Sequence, residues 1–196
     1  MVYDGIVISI IVALFRGGNF KKFTEDLHLK RGWIFPLLLV VQLFVFIFQT
    51  RIDWLASASN YLYLSVYVIG LYFLWINRHH HGFNLIFAGV LLNFIVMAAN
   101  GGRMPVSEEA ATILDPHFVQ ALKEGLYAKH QLLTEHTWFG FLGDIIPLTT
   151  PYPRSQVISI GDVVMNVGVY IYIQHLMLPV KKQEDKSTSI SAEKAI

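Results

Sequence analysis

The stretch WFGFLGDIIPLTTPYPRSQVISIGDVVMNVGVYIYIQHLM, residues 138–177, decides how this chain is read. Asp144 stands in one apolar run and Asp162 at the start of another. Pro147, Pro151 and Pro153 punctuate the connector between them. The second run, about residues 157–178, approaches the ~20 apolar residues that cross a hydrocarbon core. An acid at each place needs a physical reason, because an ionisable group at membrane depth is costly.

Working outward, the whole chain shares this character. Of 196 residues, 54% are hydrophobic and only 15% charged, against about 25% in a soluble domain. Further apolar runs cover about residues 2–15, 33–48, 54–76 and 82–99. The expectation is an all-α, polytopic transmembrane helical bundle of about five spans, one domain over residues 1–180. Residues 100–156 form a helical outer loop in this reading. Ser107 caps a helix at SEEAA, and Asp115-Pro116 starts a second that Gly125 weakens. Residues 181–196 are read as a disordered tail.

Several classes are excluded. A formal net charge of +1 gives no field that recruits nucleic acid. The absence of cysteine removes thiol catalysis and thiolate metal sites. There is no phosphate-binding loop and no nucleophile elbow. His79, His80 and His81 are consecutive, and His117, His130 and His136 match no helical ligand spacing, so neither metal nor cofactor is expected. The N-terminus carries Asp4, lacks a basic flank and reads as a retained span.

Basic residues set an expected orientation. Arg16, Lys21, Lys22, Lys30, Arg31, Arg78 and the tail lysines fall on one side, with Glu25 and Asp26 among them. Arg51, Arg103, Lys123, Lys129 and Arg154 fall on the other. The positive-inside rule then puts the N-terminus outside and the C-terminus in the cytoplasm of a multi-pass plasma-membrane protein. The lipid bilayer is the expected partner, with a lipid or another membrane protein besides.

Polar residues within the runs point to a site. Asn93 and Asn100 lie seven apart and share a helical face. Asp162 and Asn166 lie four apart and do the same. Gln42 and Gln49 are read as interhelical glue. The expected outward-facing pocket joins Asn93, Asn100, Arg103, Asp144, Asp162 and Asn166, with Arg103 as cationic partner of the acids. The competing reading of Asp162 is a helix cap after Ser159, where a carboxylate favours the positive helix end.

The elements RGGNF (16–20), NGGRMPV (100–106), LGDIIPL (142–148) and SIGDVVMNVG (159–168) resemble an uncharacterised bacterial family of small polytopic membrane proteins, a domain of unknown function. The resemblance covers most of the chain before the tail and implies a bacterial plasma membrane. The acids are also similar to the aspartate pair of lipoprotein signal peptidases. VISIGDVVMNVG resembles their second element, with Ser159 where Asn is usual. In the first element, Phe141 replaces Asn and Ile145 replaces Arg. Three functions follow as expectations: a lipid-binding, small-ligand-binding or partner-binding module, an aspartate-dependent hydrolase using Asp144 and Asp162, or an ion- or proton-coupled carrier. Whether the chain is an enzyme stays open at this point.

Overall fold

The computed structural model describes residues 2–21, 28–49, 51–114, 116–124, 129–152 and 155–178. The expectations for Lys22, Glu25, Asp26, the Asp115 cap, Gly125, Pro153, Arg154 and the tail lie outside those residues. In chain order the elements are α1 Val2–Phe15, α2 Ile34–Phe48, α3 Asp53–Ile76, α4 Phe83–Ala99, β1 Met104–Val106, α5 Glu108–Leu114 and α6 Pro116–Lys123. There follow β2 His130–Leu132, a 3-10 turn Gly140–Leu142, β3 Asp144–Leu148, β4 Gln156–Ser159 and α7 Ile160–Met177.

This corrects the expectation of an all-α, five-span bundle. The fold is mixed, because residues 104–159 carry a four-stranded sheet of order β2-β1-β3-β4. Strand β1 runs parallel to β2 and β3, and β3 runs antiparallel to β4. Only one helical segment among the described residues, Ala58–Ile76, is long and apolar enough to cross a membrane by length and composition. The physical reason is rise: the 15 residues of α2 reach about 22 Å at 1.5 Å each, short of a ~30 Å hydrocarbon core. The strands escaped the sequence reading because they have three to five residues and two of them contain a proline, Pro105 in β1 and Pro147 in β3. A proline inside a run argues against a strand, since it removes a ladder donor.

The long helices pack in the spatial order α1, α7, α4, α3, α2. Ile34 and Leu38 of α2 join Val66, Phe73 and Leu74 of α3 in one core. Ala13 of α1 packs on Ile173 and Met177 of α7. The sheet is fastened to the helices by Met104 and Leu142, which join Leu55, Tyr63, Val96 and Met97. Behind the sheet, Val106 packs on Ala111, Val119 and Leu122 of α5 and α6. Ser107 Oγ accepts from Ala110 N–H (3.3 Å), as a cap of α5 should.

The closest approach is between α4 and α7, which run antiparallel. A Cβ on Gly168 would lie 2.7 Å from the Gly82 carbonyl, and one on Gly89 would lie 2.4 Å from the Gly161 carbonyl. The two pairs are each seven residues apart along their helices, so one backbone surface lies against the other. Small residues at such a crossing let helices associate through backbone contact and dispersion. A side chain there has nowhere to go. Gly89→Val is expected to lower thermal stability by about 1–3 kcal/mol, the usual cost of overpacking. Gly70→Ala on α3, whose Cβ would meet only Leu38 Cδ1 at 3.8 Å, should leave it unchanged or slightly raised. Thermal unfolding of the two variants beside the native chain checks this.

Candidate functional site

Strand β4 runs directly into α7, and this joint builds the site. Ser159 is the N-cap: its Oγ accepts from Asp162 N–H (3.0 Å), while its own N–H donates to Asp162 Oδ2 (3.3 Å). That reciprocal arrangement is a capping box, here with Asp in place of the usual Glu. Asn93, buried on α4, completes it. Its Nδ2 donates to Asp162 Oδ1 (2.9 Å), and its Oδ1 accepts from Ser159 Oγ (2.8 Å). Both carboxylate oxygens of Asp162 are therefore engaged.

The sheet brings the second acid. Asp144 opens β3 and is the cross-strand partner of Ser159, so the two acids meet through the residue that caps α7. Asp144 is 8% exposed. Burial, with the nearby Asp162 charge adding to it and Lys129 opposing, pushes its carboxyl up to about 8. It therefore carries its proton through most of the neutral range.

The neighbouring cation is Lys129. Its carbonyl accepts from Met104 N–H (2.8 Å), which fixes it beside β1. Its ammonium is held above the ordinary lysine value by the facing Tyr67 oxygen first, then by Asp144 and Asp162, against the cost of burial. His130 follows it, pairs with Met104 across β1–β2, and places Nε2 3.7 Å from Asp144 Oδ2. Burial, reinforced by Lys129, brings the imidazole down to about 3. At neutral pH the His130–Asp144 contact therefore joins two uncharged groups rather than an ion pair.

Of the expected pocket, Asn93, Asp144 and Asp162 come together. Asn166 lies one turn further on: its Nδ2 donates to the Asp162 carbonyl (2.8 Å), and its Oδ1 points at Gly5 of α1, where a Cβ would sit 1.9 Å away. Asn100 is a loop clamp, since its side-chain amide exchanges hydrogen bonds with the Trp138 backbone (2.8 and 3.0 Å). Arg103 Nε donates to Asn60 Oδ1 on α3 (3.4 Å) and forms no ion pair with either acid. Sequence reasoning missed Lys129 and Tyr67. No local signal marks them, because β1–β2 pairing and the α3–α4 contact bring them in. Among the described residues no group of three His, Asp or Glu side chains is arranged to hold a metal.

The family described as "Family of unknown function (DUF5317)" matches residues 26–174. The chain belongs to the DUF5317 family. The matched region holds every member of the polar centre and leaves α1 outside. An uncharacterized protein of Thermotoga maritima is 31% identical over 172 residues, covering 88% of this chain and 89% of that protein. No solved structure matches the chain.

Two groups of this DUF5317 chain, Asp144 and His130, give the polar centre a defined pH profile. Asp144 binds its proton more tightly folded than unfolded, so its contribution falls as pH rises from 3.8 to about 8. His130 binds its proton less tightly folded, so its contribution rises from pH about 3 to 6.5. The slopes of these two oppose each other up to pH 6.5, and above it Asp144 is the one of the pair that still acts. Stability should therefore fall between pH 6.5 and 8 by about 1–2 kcal/mol, and Asp144→Asn should abolish that fall. Thermal unfolding against pH tests this; an equal fall in Asp144→Asn would assign it to another group.

Proposed function

We propose that the protein is a membrane-seated, non-catalytic module that binds lipid, with the Asp144–Lys129–Asp162 centre as a protonated joint between helices and sheet. The observation that carries this reading is the surface of α2. Leu37, Val40, Leu43, Phe44, Phe46 and Ile47 are all exposed, on every side of the helix except the edge against α3. An exposed apolar patch of this extent marks an interaction or membrane surface, and a helix apolar all round suits lipid. Helix α3, 24 residues long, then crosses the bilayer, and the shorter apolar helices lie immersed against it. Trp33, Trp54 and Trp75 sit at helix ends and are exposed, as interfacial anchors should be.

The polar centre supports binding over hydrolysis: Asp162 spends both oxygens on structural donors of the α4–α7 joint, and His130 stands against Asp144. The purified chain should float with phosphatidylcholine vesicles and resist alkaline extraction. Val40→Glu with Phe44→Glu should weaken that association, at about 2.5–3.5 kcal/mol for each acid near a span centre. A native chain that stays monodisperse in buffer without detergent, and does not float, sinks the membrane-seated reading.

One observation favours an aspartate hydrolase as a second reading: two coupled carboxyls, one of them pushed to about 8, is the pattern of an acid and base pair. On that reading Asp144→Asn and Asp162→Asn each abolish cleavage of a membrane-inserted peptide. Turnover retained in either variant excludes it.

A further inference from the structure

The end of the helix row away from the sheet is built differently from the sheet end. Arg16, Lys21, Lys30, Arg31 and Arg78 gather there. The acids among the described residues, Asp144 and Asp162 included, belong to the sheet end instead. A groove of about 400 Å³ opens at this basic end between α2 and α3. Trp33, Leu37, Val41, Leu62, Val66 and Ile69 line it, and Arg31 and Tyr72 stand at its mouth. That volume lies within the range of ligand sites, roughly 300–1,000 Å³.

The fold commits structure to holding Arg31 in this place. Asn77 is fully buried, accepts from Lys30 N–H (2.8 Å), and donates to the carbonyls of Lys30 (3.0 Å) and Phe73 (2.9 Å). This pins the segment before α2 to the end of α3. Arg31 itself has a left-handed backbone, φ 55°, which favours glycine over a branched or long side chain. Its guanidinium donates to the Tyr72 hydroxyl and lies 5.6 Å from that ring centroid. Among the described residues it meets no carboxylate. A guanidinium retains donors beyond that one bond and suits phosphate.

We propose that this groove holds one anionic phospholipid of the membrane, its acyl chain against Leu37, Val41 and Val66 and its phosphate on Arg31. The inference rests on the membrane-seated reading and names the ligand. Charge complementarity selects the occupant: an apolar slot with a cation held at its mouth fits an acyl chain that ends in an anion.

Trp33 gives a direct reporter. With Trp54→Phe, Trp75→Phe and Trp138→Phe, it is the remaining tryptophan of the four. The full chain is placed in phosphatidylcholine vesicles containing a minor share of brominated-chain phosphatidylglycerol or, in parallel, brominated-chain phosphatidylcholine. Phosphatidylglycerol should quench Trp33 about fivefold more effectively per lipid, corresponding to ~1 kcal/mol for one basic group. Arg31→Gln should remove the preference, and so should Arg31→Gly, which suits the left-handed backbone and keeps the fold. Arg16→Gln, in the turn after α1, should keep it. Equal quenching by the two lipids, a preference that survives loss of Arg31, or one lost equally with Arg16→Gln overturns the site. So does a chain that floats while neither lipid quenches Trp33, because the groove is then covered by protein. A chain that does not float at all overturns the membrane reading instead, and the lipid site with it.

Discussion

Backbone contact between α4 and α7 is the constraint on which the rest depends. The glycine pairs Gly82–Gly168 and Gly89–Gly161 remove side chains from the crossing, so the helices approach until carbonyls lie where Cβ atoms would be. The gain is dispersion between two close surfaces, which decays steeply with separation. The same approach decides where polar groups fall. Asn93 lies one turn beyond Gly89 and is pressed against Gly161, where a Cβ would sit 2.1 Å from its Oδ1. It therefore reaches the Ser159–Asp162 cap of α7. With larger residues at the crossing, Asn93 would withdraw, and the first turn of α7 would lose two of its hydrogen bonds.

From that joint the electrostatics of the centre follow. Asp162 is placed by the cap, and Ser159 fixes the register that sets Asp144 beside it. Asp144 is the buried acid of the pair. Asp162 receives N–H donors on both oxygens, whereas Asp144 has a neutral imidazole at 3.7 Å and a more distant ammonium. Burial first, and the Asp162 charge second, keep the proton on Asp144 up to about pH 8. With Lys129 positive and His130 neutral, the centre approaches electrical balance near pH 7, which is how a buried cluster avoids an uncompensated charge.

Much of the helical part was legible in the sequence. Long apolar runs bounded by charges have few alternatives to helix, and each of the five holds a helix, although residues 157–159 of the last belong to β4. The cap at Ser159 was legible too, because serine before an apolar run with an acid three residues on has a local mechanism. What the sequence hid depends on non-local pairing. MPV, HQL and DIIPL show no alternation and two contain proline, so a loop is the natural reading. Once the sheet is missed, the partner of the acids is missed with it. Arg103 looked like that partner because it neighbours the fourth apolar run, yet Gly102 packs against Asn60 and turns it toward α3. Lys129 reaches the acids only because β1 is flanked by β2 on one side and β3 on the other.

The two ends of the helix row thus solve the problem of polar groups beside apolar helices in opposite ways. At the sheet end, charges are paired, capped or held neutral, and the strands cover them; the Asn100 amide closes the Trp138 loop over that end. At the far end, Asn77 satisfies its own hydrogen bonds while holding Lys30 and Arg31 at the helix margin, where their charges meet no described acid. A closed, self-compensated centre has little to offer a ligand without opening, since each bond broken there exposes an unsatisfied partner. The far end needs no such opening. Its cations complement an anionic surface as they stand, and the apolar slot beside Arg31 is continuous with the exposed face of α2.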